Sequence, residues 1–103
     1  MTITIIEVNL SSGVITPEEL QRLGELFAQA LARADAVAEV IISGRMPVWA
    51  FAHLVLVARE AREGLTIATF DPRLNAGVIV WPASSAGQLL PVTGEEQRRE
   101  IVI

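Results

Sequence analysis

The sequence predicts an α/β domain with the element order βαβαββ, and three observations carry that reading. Short runs rich in Ile, Val and Thr alternate with segments of helical apolar period. The junctions between them carry Gly, Pro and Asn. The chain is 103 residues long, which suits a single domain able to bury its own core without metals or disulfides.

The first strand covers Thr2 to Leu10, where Ile, Thr and Val predominate without a breaker. Ser11-Ser12-Gly13 turns the chain. Thr16-Pro17-Glu18-Glu19 then starts a helix: Thr16 caps it, Pro17 arrives with its φ preset, and Glu19 completes a capping box. Leu20, Leu23, Phe27, Ala30, Leu31 and Ala34 follow on one face, leaving Glu18, Arg22, Glu25, Gln29 and Arg33 on the wet face. Gly24 weakens this helix and offers room for close packing.

Val37 to Ile42 is a second strand, apolar enough to be covered on both faces. Pro47 to Arg62 is the second helix. Val48, Trp49, Phe51 and the run Leu54 to Val57 leave it no polar stripe before Arg59, so a second subunit is expected to bury what the core does not. Leu65 to Phe70 and Ala76 to Trp81 form a hairpin, with Asn75 and Gly77 able to take positive φ. Pro82 to Gly87 is a loop, and Gln88 to Val92 a further short strand. Gly94 to Ile103, charged and then apolar, fits neither template.

Composition narrows the function classes. Hydrophobic residues make up 51% of the chain and charged residues 19%, a balance that favours self-association. The absence of cysteine excludes a disulfide framework and a thiolate metal site. The first eight residues carry no secretory pattern, and the longest apolar stretch, Met46 to Ala58, is too short to span a bilayer. The expectation is a cytoplasmic protein with no membrane partner. A net charge of −4 gives duplex DNA no general attraction, so an anionic ligand would have to meet a local arginine.

Two loops carry the chemistry. Right-handed crossovers make the second and third strands parallel and bring Ser43-Gly44-Arg45 and Asp71-Pro72-Arg73 to one edge of the sheet, where such sheets collect ligands. Ser43 and Gly44 precede a helix N-terminus, whose free amides and dipole favour phosphate, and Arg45 adds a planar fork. The same residues also read as a plain helix entry with a solvated arginine. Asp71 and Arg73 form either an ion pair around a proline turn or a working pair. In the second case the carboxylate orients a nucleophile or cation while the guanidinium stabilises phosphodiester charge. His53, the only histidine, is either a packed residue on an apolar helix or an acid–base group. Trp49 and Trp81 read as packing residues that could stack on bases only if exposed. One histidine and no cysteine leave no nucleophile–base–orienter triad legible.

These segments resemble a small CRISPR-associated family of type III systems, within the wider CRISPR-associated Rossmann-fold group. The resemblance rests on Gly13 to Leu20, on Ile42-Ser43-Gly44-Arg45 with Pro47 and Trp49, on Ala68 to Leu74, and on Val78-Ile79-Val80. It implies a single Rossmann-like domain over residues 1–103, with parallel central strands and a C-terminal hairpin. It also implies a homodimer that binds cyclic oligoadenylate, chiefly cyclic tetra-adenylate, held between two dimers as a tetramer. Active members of the family cleave that ring as ring nucleases, and manganese-dependent activity toward RNA ends belongs to the same group. By the same resemblance, Ser43, Gly44, Arg45, Pro47 and Trp49 contact the ligand, and Asp71 and Arg73 act on it, with His53 the available imidazole. The sequence departs from the family at the chemistry. The helix histidine expected three residues beyond His53 is Leu56, and Trp81-Pro82 stands where another histidine commonly follows the fourth strand. Binding therefore carries over further than cleavage. The alternatives are a non-catalytic sequestering or structural domain, and a metal-dependent phosphodiesterase acting on linear RNA.

Overall fold

Residues 2–35 and 37–103 are described by the computed structural model. The elements in chain order are β1 (Thr2–Asn9), α1 (Leu20–Arg33), β2 (Val37–Gly44), α2 (Val48–Ala61), β3 (Thr66–Asp71), β4 (Ala76–Trp81), β5 (Leu89–Pro91) and β6 (Gln97–Val102). They build one α/β domain around a mixed sheet ordered β5-β4-β3-β2-β1-β6. β6, β1, β2 and β3 run parallel, and β4 turns back against β3 as the expected hairpin. Asn75 takes the positive φ of that turn, 48°, while Gly77 does not and sits within β4.

The helix start behaves as its residues dictate. The Glu19 carboxylate accepts from the Thr16 amide at 2.9 Å and from the Thr16 hydroxyl at 3.1 Å. Pro17–Glu19 is a 3₁₀ turn, and α1 proper begins at Leu20. Its stripe of Leu23, Phe27 and Leu31 packs on one face of the sheet beside Ala50, Leu54 and Ala58 of α2. Both helices share that face because the strand order advances in one direction from β1 to β3. Gly24 is buried where α1 meets α2, and a Cβ there would lie 2.7 Å from Nε2 of His53.

The segment after Gly94 is a strand, β6, which periodicity did not assign. It carries charged side chains on both faces, as an edge strand can, and its partner β1 lies at the opposite end of the chain. Gln97 anchors its start. Its amide nitrogen donates to the Thr4 hydroxyl at 3.2 Å and to the Asp35 carbonyl at 3.3 Å, which satisfies the fully buried Thr4.

Ile5, Ile41, Ala68 and Ile79 lie on the face without helices, yet all are buried. The connection from β5 to β6 explains this. The two strands sit on opposite edges, so a flat sheet would separate them by five gaps of about 4.8 Å, roughly 24 Å. The six residue steps from Pro91 to Gln97 reach only about 21 Å when fully extended. The sheet must therefore coil over its helix-free face, and the strap 92–96 crosses that concavity with Val92 packed into it. β2 is thus buried on both faces as expected, by helices on one side and by coiling and the strap on the other. The strap is latched by Glu96, whose carboxylate accepts from the Thr93 amide at 2.7 Å, the Thr93 hydroxyl at 2.9 Å and the Gly94 amide at 2.9 Å.

Candidate functional site

The C-terminal ends of β1, β2 and β3 meet along one edge, and two adjoining cavities open there. The first, about 610 Å³, is bounded by Ser43, Gly44 and Arg45 at the end of β2, Phe70 and Pro72 at the end of β3, and Glu7 and Glu100 from β1 and β6. The second, about 520 Å³, is bounded by Val14, Met46, Pro47 and Trp49. Leu10, Gly13 and Arg45 belong to both, so Arg45 stands on the ridge between them. The two loops that sequence reasoning placed on one edge do lie on one edge.

Gly44 makes the first cavity possible. Its φ is 138°, and a Cβ there would stand 2.5 Å from the carbonyl oxygen of Val8, its register partner in β1. Only a residue without a side chain lets β2 run this close to β1 and then swing out into the loop. Pro47 follows as the N-cap of α2, and its carbonyl accepts from the Ala50 and Phe51 amides at 3.0 and 3.4 Å. The first-turn amides of Val48 and Trp49 are left as the open donors of that helix end.

The β1–α1 loop was missed as part of the site. It supplies Leu10 and Gly13 to both cavities and carries no titratable group that would draw attention. The carbonyl of Ile103 holds it, accepting from the Ser11 amide at 2.8 Å and the Ser11 hydroxyl at 2.9 Å. The Ile103 amide in turn donates to Asn9 at 3.0 Å. The last residue of the sequence thus positions one wall of the site.

The residues expected to do chemistry are arranged differently. Arg73 donates to Asp71 through Nη2 at 3.0 Å, through Nε at 3.3 Å and through its backbone amide at 2.9 Å. That ion pair holds the Asp71 carboxyl below the usual range, and Asp71 in turn holds the Arg73 guanidinium above its own. The pair lies at the protein surface, and of this loop it is Pro72, not Asp71 or Arg73, that lines the first cavity. His53 is placed against Gly24 on α1, beyond the first turn of α2. Leu56 is exposed on the same helix. Trp81 is half-buried with the Arg59 guanidinium 4.2 Å above its ring, so it is already stacked; Trp49 is 40% exposed.

Charge divides the first cavity. Glu7 and Glu100 are register partners on adjacent parallel strands, so both carboxylates project from the same face, with Ser43 next across the sheet. Arg45 is the one basic residue that lines the same cavity. An anion is drawn to the Arg45 ridge, beyond which the amides of α2 lie at the second cavity, and pushed from the β1–β6 wall. Among the described residues no group of three or more His, Cys, Asp or Glu side chains is placed to hold a metal ion. With the Asp71 carboxylate already bound by Arg73, one chain's donors do not fit a manganese centre. Among the described residues no helix is long and apolar enough to cross a membrane.

A family model described as CRISPR-associated protein (Cas_csx3) matches residues 8–90, a span that includes every residue of the two cavities except Glu7 and Glu100. No curated protein matches the chain.

Proposed function

The chain belongs to the CRISPR-associated Cas_csx3 family, and we propose that it binds a cyclic oligoadenylate of type III immunity, cyclic tetra-adenylate being the first candidate. One observation carries the reading: Ser43, Gly44 and Arg45 converge with Pro72 on a cavity at the C-terminal strand edge, and Arg45 also lines the adjoining cavity that the start of α2 bounds. There a guanidinium and free helix amides can neutralise a phosphodiester without a basic field elsewhere on the protein.

The proposed role is binding that lowers the free concentration of the messenger, with turnover slow or absent. Three placements support this over fast cleavage. Asp71 and Arg73 are occupied by each other, His53 is packed against α1, and an aliphatic side chain stands at position 56. A positioned general acid or base typically contributes 10²–10⁴-fold, and none faces the cavity among the described residues except Glu7 and Glu100. The proposed assembly is a homodimer, supported by Val48 and Leu56 standing exposed on α2, where a partner would remove them from water.

Labelled cyclic tetra-adenylate tests this when retention on the protein and formation of linear product are measured separately. Retention by the wild type is expected. Loss of one charged hydrogen-bond partner in Arg45→Ala should weaken it by roughly ten- to a hundredfold with melting almost unchanged. Absence of retention at micromolar protein would refute the reading. Rapid product formation would refute the sequestering role while keeping the ligand.

A further inference from the structure

The second cavity differs in chemistry from the first. Its walls include the faces of Val14, Met46, Pro47 and Trp49, and its only charged group is Arg45, shared with the polar cavity next door. Val14 is 67% exposed and Trp49 40% exposed, so apolar surface faces water within this one cleft. Exposed apolar groups that converge on a concavity beside a guanidinium imply an occupant that is flat and apolar at one end and anionic at the other.

We propose that this cleft is a nucleobase subsite, in which Trp49 provides the stacking face, Val14 the opposite wall, and Arg45 the contact to the adjoining phosphate. The inference rests on the cyclic-oligoadenylate reading and deepens it. A nucleotide unit then straddles the ridge, with its base in the apolar cleft and its phosphate turned toward Ser43 and Gly44. Apart from Arg45, the only strong hydrogen-bonding group on a side chain in the cleft is the Trp49 indole N–H, a single donor that cannot read a donor–acceptor pattern. Selection therefore works through stacking area, and purines are preferred over pyrimidines. Met46 suits such a site because a flexible thioether adapts to a ring edge. The loop 10–14, held by Ile103, sets how wide the cleft stands.

The protein contains its own probe. It has two tryptophans, and Trp81 is already covered by Arg59, so Trp81→Phe leaves Trp49 as the single reporter. Cyclic tetra-adenylate titrated into this variant should quench Trp49 emission to saturation, at the same midpoint that retention of the labelled ring gives. Trp49→Ala should weaken retention about ten- to a hundredfold, the scale of one lost base–aromatic stack, while Trp49→Phe stays within about threefold. A uridine ring of the same size should bind at least about tenfold more weakly than the adenine ring. Retention of the ring with unchanged Trp49 emission, or with Trp49→Ala binding as tightly as wild type, overturns the base subsite and leaves the ligand reading standing. Equal affinity for the uridine ring overturns it too. No retention of either ring overturns both.

Discussion

Gly44→Ala puts the architecture of the site to a direct test. The residue holds φ at 138°, a conformation that side chains rarely adopt, and the added methyl would begin 2.5 Å from the Val8 carbonyl oxygen. Strained backbone of this kind costs about 1–3 kcal/mol. Relief of the contact requires β1 and β2 to separate where Val8 pairs with Gly44, at the cost of about one backbone hydrogen bond, roughly 1 kcal/mol. The expected loss is about 3 kcal/mol, out of a total of about 5–15 kcal/mol for a domain of ordinary stability. In a chain of this length that lowers the melting temperature by roughly 12–24 °C. Gly13→Ala is the control. Gly13 also has positive φ, 81°, but no atom lies within 4 Å of the position a Cβ would take. It should lose only the backbone part, about 1–2 kcal/mol. Urea unfolding followed by far-ultraviolet circular dichroism gives both values. Equal losses in the two variants, within about 0.5 kcal/mol of each other, would show that the close approach of β2 to β1 is not what holds glycine at position 44.

Glu96 should give the protein an acid-sensitive strap. Hydrogen bonds, first from the Thr93 amide and then from the Thr93 hydroxyl and the Gly94 amide, bring its carboxyl down to about 2. Its folded value lies below its unfolded one, so the stability it adds is complete above about pH 4.5 and is lost as pH falls toward 2; Glu96→Gln should flatten that limb of a stability-against-pH curve, and an unchanged limb would contradict the latch. Gly24→Ala gains about 1 kcal/mol of helix propensity but presses on Nε2 of His53. It should stabilise a His53→Ala background clearly more than the wild type, and equal effects in a double-mutant cycle would mean that the two positions do not touch. Glu7→Gln removes one of the two carboxylates that share the first cavity with Arg45. At low salt it should tighten binding of the cyclic ligand by roughly three- to tenfold, fading as salt screens the repulsion; a weakened complex would instead make Glu7 a ligand contact.

Local chemistry wrote much of this molecule into its sequence. The capping box at Thr16 and Glu19, the apolar stripe of α1, the apolar run of β2 and the turn at Asn75 all follow from interactions a few residues apart, which a single strand of text displays. The convergence of Ser43-Gly44-Arg45 with Pro72 was legible because it needs only parallel strands and the fixed hand of their crossovers. The sequence left two readings of Asp71 and Arg73, as an ion pair or as a working pair, and the structure shows them bonded to each other. β6 was not legible. Its charges, Arg98, Arg99 and Glu100, are consecutive and leave no apolar period, and it becomes a strand only because β1, some ninety residues earlier in the chain, offers it an edge. The wall built by Leu10 and Gly13 escaped notice for a related reason, since it is made of backbone and apolar surface and held by Ile103. The coil of the sheet, the strap beneath it and the shared position of Arg45 between two cavities depend on distances between chain-remote segments. Such distances are set by loop reach and packing, quantities that no run of neighbouring residues contains.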